Sequence, residues 1–367
     1  MNQINSELPA PAARVNAAPA RRAEGQVRGL AVVGLGYWGP NWVRNFTQLQ
    51  SGARVLACDL DAGRRERIRK SYPEVQTCER LSEVLQDPEI DGVVVATPVS
   101  THYPIARQVL QAGKAVLVEK PLAMSRRQAE ELVILAREAD LPLMVGHTFE
   151  YSAPVLKVRD LIARGELGEV LYISSVRANL GLLQHDVNVA WDLATHDISI
   201  ILMLLGQFPH AVSCQGKSYY RGDIEDVAML TLHFPGKILA FIHVSWLDPN
   251  KIRRTTIVGS RRMLVYDDTA TQEKIRIYDK GVDVQRYYDS YDEFQLSYRY
   301  GDIQIPRIEE TEPLRMECQH FIDCIATQRT PNTDGLNGLR VVSVLEAASL
   351  SLKNAGALIT LANPGTR

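Results

Sequence analysis

The sequence predicts an α/β protein in two parts. A doubly wound parallel sheet comes first, and an α+β region with a large, mostly antiparallel open sheet follows. Three observations carry this. From Gly29 to Met144, short Val- and Leu-rich runs alternate with stretches of helical periodicity. The first of those runs ends in three closely spaced glycines, Gly34, Gly36 and Gly39. After about residue 150 the strand-like runs follow one another with no helix between them.

The runs LAVVG, RVLACD, GVVVAT, AVLVEK and PLMVGH are nearly continuous in apolar residues. That pattern suits strands buried on both faces of a parallel sheet. DAGRRERIRKSY, THYPIARQVLQAG and SRRQAEELVILAREA lie between them and read as helices. In the second part EVLYISSVRAN, HAVSCQGKSY, DVAMLTLHF, ILAFIHVSWLD, RRTTIVGS and RMLVYD read as strands. FPGK and VGSRR supply turns between them. WDLATHDISIILMLLG reads as a helix ahead of most of these strands, and PLRMECQHFIDCIA and GLRVVSVLEAASLSLKNAG as two closing helices. The expected division is a disordered tail over 1–27, a first domain over 28–148 and a second over 149–367.

The 367 residues suffice for two domains of ordinary size, and 46% hydrophobic content suffices for their cores. A formal net charge of −2 gives no basic surface for nucleic acid. No apolar run reaches the roughly 20 residues of a membrane span. The first residues, rich in Ala, Pro and Arg, lack the apolar core of a secretory signal. Cys58, Cys78, Cys214, Cys318 and Cys324 are scattered and form no CxxC pair. They read as reduced thiols of a cytoplasmic protein, with no structural metal.

The glycine turn follows a strand and opens a helix, as a Rossmann dinucleotide fingerprint requires. Gly34 permits the tight turn, Gly36 a close approach of pyrophosphate, and Gly39 close packing of helix on strand. Tyr37 and Trp38, between them, are expected to touch the cofactor. The helix N-terminus favours phosphate. Asp59, at the end of the second strand, suits the ribose hydroxyls of NAD; it also suits the N-cap of the next helix. Arg64 and Arg65 close behind could serve a 2′-phosphate, so NADP is the alternative.

Lys120 ends the strand AVLVEK, at the carboxyl edge where such sheets bind ligands. There it could stabilise an alkoxide formed as hydride leaves. It could equally be a surface lysine. Thr97 and Pro98 end the preceding strand and would line the nicotinamide side, with Glu119 and His102 as further cofactor contacts. His102 also fits the first turn of a capped helix.

In WDLATHDISIILMLLG the polar residues Asp192, Thr195, His196 and Ser199 fall on one helical stripe. Asp192 and His196 could touch at i,i+4, orienting the imidazole and raising its pKa above about 6.5. That would make a general acid/base near neutral pH. A structural Asp–His pair is the alternative.

The four motifs, GxGxxG at Gly34–Gly39, ATP at Ala96–Pro98, EKP at Glu119–Pro121 and DxxxH at Asp192–His196, stand in order. So arranged, the chain resembles the Gfo/Idh/MocA oxidoreductase family from about Arg28 to Asn354. The resemblance implies that Lys120, Asp192 and His196 form the catalytic set. It also implies an open sheet used for substrate and for homo-oligomer contacts (dimer or tetramer), and a cis bond before Pro121. GLGYWGPN, HDVNVAWDLATHDISI and VSWLDPNKIRRTTIVGS look like the branch that oxidises C3 of UDP-N-acetylglucosamine-type sugars. Thr195 stands where that branch more often has proline.

The expected reaction is hydride transfer between a sugar secondary hydroxyl and nicotinamide. His196 moves the proton, Asp192 orients His196 and Lys120 steadies the oxygen. Arg177 and Asn179 share a sheet face, and Arg177 could pair with a substrate pyrophosphate or form a plain ion pair. His147 and Tyr151 are further expected substrate contacts. Trp246 reads as core. A ketosugar reductase, an inositol or free-sugar dehydrogenase and an NAD-dependent glycosidase fit the same motifs and are alternatives; a non-catalytic dinucleotide-binding regulator is another, though it predicts loss of the lysine or the histidine, and both are present.

Overall fold

The computed structural model describes residues 25–365 except 50, 182, 184–186, 221, 285–295 and 310. Residues 1–24 of the expected tail lie outside the described residues.

The first sheet contains β1 (Gly29–Val33), β2 (Arg54–Cys58), β3 (Gln76–Cys78), β4 (Gly92–Val95), β5 (Ala115–Glu119) and β6 (Leu143–Gly146). Its order is β3-β2-β1-β4-β5-β6, parallel throughout. The order reverses between β1 and β4, and that crevice is where doubly wound sheets take ligands. Around it lie α1 (Gly39–Leu49), α2 (Ala62–Ser71), α3 (Leu81–Gln86), α4 (His102–Gln111) and α5 (Arg126–Glu138). Asp61 and Ser125 cap α2 and α5 by accepting from the amides of Arg64 and Gln128. The sequence reading missed β3 and α3. Three residues of half-exposed strand and six of helix carry too little periodicity to be seen.

In the second part α6 (Ala153–Ala163) precedes β7 (Val170–Ala178), and α7 (Thr195–Leu205) precedes β8 (Ala211–Lys217). Then come β9 (Val227–His233), β10 (Leu239–Ser245), β11 (Ile252–Gly259), β12 (Met263–Asp267), β13 (Ile275–Val284) and β14 (Leu296–Gln304). The chain closes with α8 (Pro313–Thr327), α9 (Gly335–Lys353) and the short β15 (Ile359–Thr360). The sheet order is β14-β13-β12-β11-β7-β10-β9-β8-β15. All neighbours are antiparallel except β7 and β10.

One face of this sheet, with Ile173, Leu230, Leu232, Ile242 and Val244, packs on Ile198 and Ile201 of α7 and on Val341 and Leu345 of α9. Each such burial stabilises by roughly 1.5–3 kcal/mol. The closing helices also reach back to the first sheet. Phe321 and Ile322 of α8 share a core with Leu30, Val32 and Trp42, and Leu339 and Val342 of α9 join Val116 and Val145. The sequence-based division at 149 groups these helices with the second part alone. Helical periodicity identifies their apolar faces, not the sheet those faces meet.

Candidate active site

The glycine turn has three different reasons for its glycines. Gly34 has φ +95°, and a Cβ there would lie 2.6 Å from the Ala96 carbonyl oxygen. A Cβ on Gly39 would lie 2.0 Å from the Gly34 oxygen. Gly36 is different: the nearest atom to its Cβ position is Arg64 Nη1, at 4.0 Å. So two glycines close the turn and the third leaves room, at the N-terminus of α1, for a pyrophosphate. The Asp59 carboxylate accepts from the Leu35 amide at 2.7 Å and the Asp61 amide at 2.8 Å. Arg64 Nη1 lies 3.4 Å from it. Tyr37 and Trp38 project from the turn, Tyr37 84% exposed. These residues fit NAD(P).

At the neighbouring strand ends, Thr97 packs its methyl near Gly34 and bonds through its hydroxyl to Thr101. Lys120 leaves β5 through a cis bond to Pro121. Its ammonium donates to the Asp192 carbonyl at 2.9 Å and to Asp192 Oδ1 at 3.2 Å. Asp192 lies in a π-helical turn, Ala190–Ala194, that leads into α7. Such widened turns recur at functional sites. Trp246 Nε1 donates to the other Asp192 oxygen at 3.1 Å. The His196 ring meets the Phe149 ring edge-on at 4.9 Å. A lysine from the first sheet thus meets a carboxylate from the second part, close enough to act electrostatically on the His196 imidazole.

Two family descriptions match in sequence. Residues 28–147 match "Oxidoreductase family, NAD-binding Rossmann fold" and residues 155–265 match the GFO/IDH/MocA C-terminal domain. The chain belongs to the Gfo/Idh/MocA oxidoreductase family. Among its relatives is the scyllo-inositol 2-dehydrogenase (NAD(+)) of Bacillus subtilis, 25% identical over 90% of this chain and 95% of that one. The UDP-N-acetylglucosamine 3-dehydrogenase of Acidithiobacillus ferrooxidans is 26% identical over 70% of this chain and 76% of that one. A solved structure of the latter enzyme superposes with a TM-score of 0.73 at 22% identity, covering 89% of this chain and 97% of that one. This Gfo/Idh/MocA protein is an NAD(P)-dependent oxidoreductase acting on a hydroxyl group. No described helix is long and apolar enough to cross a membrane.

Several expected contacts of this Gfo/Idh/MocA site are corrected by the structure. Asp192 makes no bond to His196; its two carboxylate oxygens accept from Lys120 and Trp246 instead. The His196 imidazole is pushed well below its usual pKa, not above it. Burial is the chief cause, followed by the positive charges of Lys120 and Arg177. Arg177 is not a free cation for pyrophosphate. It forms a buried pair with Asp197, Nε to Oδ2 at 2.7 Å, which Ser175 also joins. Tyr151 is buried with its hydroxyl 3.1 Å from Thr333 Oγ1. His102 is buried and spends both ring nitrogens, on the carbonyls of Pro121 (2.8 Å) and Thr97 (2.9 Å). It ties the two strand-end loops together and has no nitrogen left for cofactor. Glu119 turns its carboxylate inward to Trp42 Nε1, at 2.7 Å. Burial raises its pKa against that bond.

His147 stays compatible with its expected role. It is buried, neither ring nitrogen has a partner, and burial lowers its pKa to about 3, with Lys120 adding to the effect. Asn179 follows β7, half-buried, beside Gly181. Phe149, Asp197 and the indole of Trp246 were not singled out from the sequence. An aromatic just past a strand end was the available signal for Phe149. Trp246 is core, 1% exposed, as its alternation with Ile242 and Val244 implies, yet it also holds Asp192. His185 and Asp186 lie outside the described residues.

Proposed function

We propose that the chain moves a hydride between NAD and a secondary hydroxyl of a neutral cyclic polyol or free sugar. The observation that carries this is the Lys120–Asp192 bridge beside a neutral His196. An ammonium has three donors. Asp192 takes two, so one remains for a substrate oxygen. Bound NAD(P) supplies the hydride acceptor or donor at that place. His196, held neutral, accepts the hydroxyl proton, and Lys120 stabilises the oxygen that carries the charge. Asp192 aims Lys120. Asn179 and His147 line the substrate side, and Asp59 favours NAD over NADP.

Two facts support the polyol over a nucleotide sugar. The inositol dehydrogenase matches over more of the chain than the UDP-sugar enzyme does. The arginine best placed for a pyrophosphate, Arg177, is already neutralised by Asp197. A second reading, oxidation at C3 of a UDP-N-acetylglucosamine-type sugar in surface polysaccharide or lipid A synthesis, draws on Arg253. Its guanidinium lies 5.6 Å from the Phe149 ring centroid and is 35% exposed. A cytoplasmic location belongs to either reading. So does self-association through the outer sheet face, where Tyr172, Met229 and Phe241 are exposed.

The test is reduced-nicotinamide absorbance with purified protein. The panel is inositols, free hexoses, UDP-N-acetylglucosamine and its uronate, each with NAD and NADP. Lys120→Ala and His196→Ala run beside the wild type. Turnover of an inositol or free sugar with NAD is expected, and loss in both variants. Turnover of the UDP-sugars alone sinks the polyol reading, and full activity in both variants sinks the assigned roles.

A further inference from the structure

Cys58 and Cys78 are register partners at the carboxyl ends of the adjacent parallel strands β2 and β3. Both are free thiols. Cys58 is buried, 2% exposed, while Cys78 is partly open to solvent. They adjoin the cofactor site directly. The Asp59 amide donates to the Cys78 carbonyl at 3.3 Å, and the Asp59 carboxylate holds the Leu35 amide of the glycine turn.

We propose that Cys58 and Cys78 are a peroxide-sensitive thiol pair whose disulfide weakens dinucleotide binding. Neighbouring strands lie about 4.8 Å apart. That falls inside the Cα range of disulfides, roughly 4.4–6.8 Å, but their Cβ atoms must close to about 3.8 Å. The strands therefore have to draw together. β3 is a three-residue edge strand, so it can move. The pull passes through the Asp59 amide to the carboxylate that shapes the ribose end of the site.

Cys78 is the attacking group. It is the more exposed thiol, and the neighbouring Cys58 thiol is the chief cause holding its pKa below the usual value, with Arg65 adding to the effect. Its thiolate attacks hydrogen peroxide, the O–O bond breaks, and sulfenic acid and, with one proton, water are formed. The Cys58 sulfur then displaces the sulfenic oxygen, which leaves as a second water as the S–S bond forms. The two thiols lose two electrons and the peroxide gains them.

The test oxidises the reduced full-length chain with hydrogen peroxide and alkylates the remaining thiols. Peptides are mapped by mass spectrometry, and NAD affinity is measured by calorimetry before and after. A Cys58–Cys78-linked peptide is expected, with the Kd for NAD raised about five-fold or more and restored by dithiothreitol. Cys78→Ser is expected to keep its affinity through the same treatment. Absence of the linked peptide overturns the proposal. So does a linked peptide with unchanged Kd, or an equal loss of affinity in Cys78→Ser. The wild-type measurements decide the matter even if that variant fails to fold.

Discussion

The Lys120 ammonium grips Asp192 twice, by its carbonyl at 2.9 Å and its carboxylate at 3.2 Å, across 72 positions of chain. Trp246 holds the second carboxylate oxygen from the opposite side. The carboxylate therefore serves the lysine. With both side chains at most one-fifth exposed, water screens this pair far less than a surface pair.

Removing the charge of Asp192 should disarm Lys120 while leaving the fold. Asp192→Asn is expected to lower kcat about 100-fold or more, in the range seen when one positioned charge is lost. Trp246→Phe keeps an aromatic ring and deletes the donor, and the smaller ring leaves a cavity that urea unfolding measures separately. It should lower kcat by about ten-fold, the worth of one hydrogen bond to a charged group, and leave NAD affinity unchanged. Steady-state kinetics and NAD titration separate these outcomes. Equal loss of NAD affinity in Trp246→Phe would mean a general packing defect.

The glycines make a sharper pair. Gly36→Ala meets no atom closer than 4.0 Å, so the free protein should melt within about 1 °C of wild type. Its NAD affinity should fall about ten-fold or more, because the methyl occupies the phosphate space. Gly34→Ala forces a contact of 2.6 Å at φ +95° and should destabilise strongly even without cofactor. Thermal melts with and without NAD read both.

His196 carries a depressed pKa, so its base form persists in acid. The acid limb of the kcat/KM profile should fall below the ordinary histidine value of about 6.5. In Lys120→Met the nearest cation is gone, and the His196 pKa, followed by NMR, should move upward. No movement would separate the two groups electrostatically.

Stability should respond to acid through His147. In the unfolded chain it binds a proton as pH falls below about 6.5; in the native protein it does so only near 3. Its contribution is therefore complete above pH 6.5 and is lost as pH falls toward 3. Glu150, raised by burial to about 7, works oppositely: its contribution is complete below its unfolded value and is lost as pH rises through 7. Denaturant melts across pH should show His147→Phe losing part of the acid sensitivity and Glu150→Gln gaining stability above pH 7.

Arg177 and Asp197 are both buried. Arg177→Met alone should cost about 3–5 kcal/mol, since it strands a buried carboxylate. Arg177→Met with Asp197→Leu should recover most of that loss in urea unfolding. A double variant no better than the single would show that Asp197 has other support.

What the sequence determined by itself was local. The alternation of β and α runs, the glycine turn and the Asp59 carboxylate after β2 were legible because backbone geometry imposes short periods and fixed spacings. The polar stripe of α7 was legible too, but its meaning was not. A regular helix would bring Asp192 to His196; the chain instead opens a π-helical turn at that point. Tertiary structure then decided which charge meets which. Lys120 claimed Asp192, Asp197 claimed Arg177, and burial, reinforced by the cations around it, pushed the His196 pKa well down. Charges pair by proximity in a medium of low dielectric, and proximity between residues tens of positions apart is a property of the packed chain.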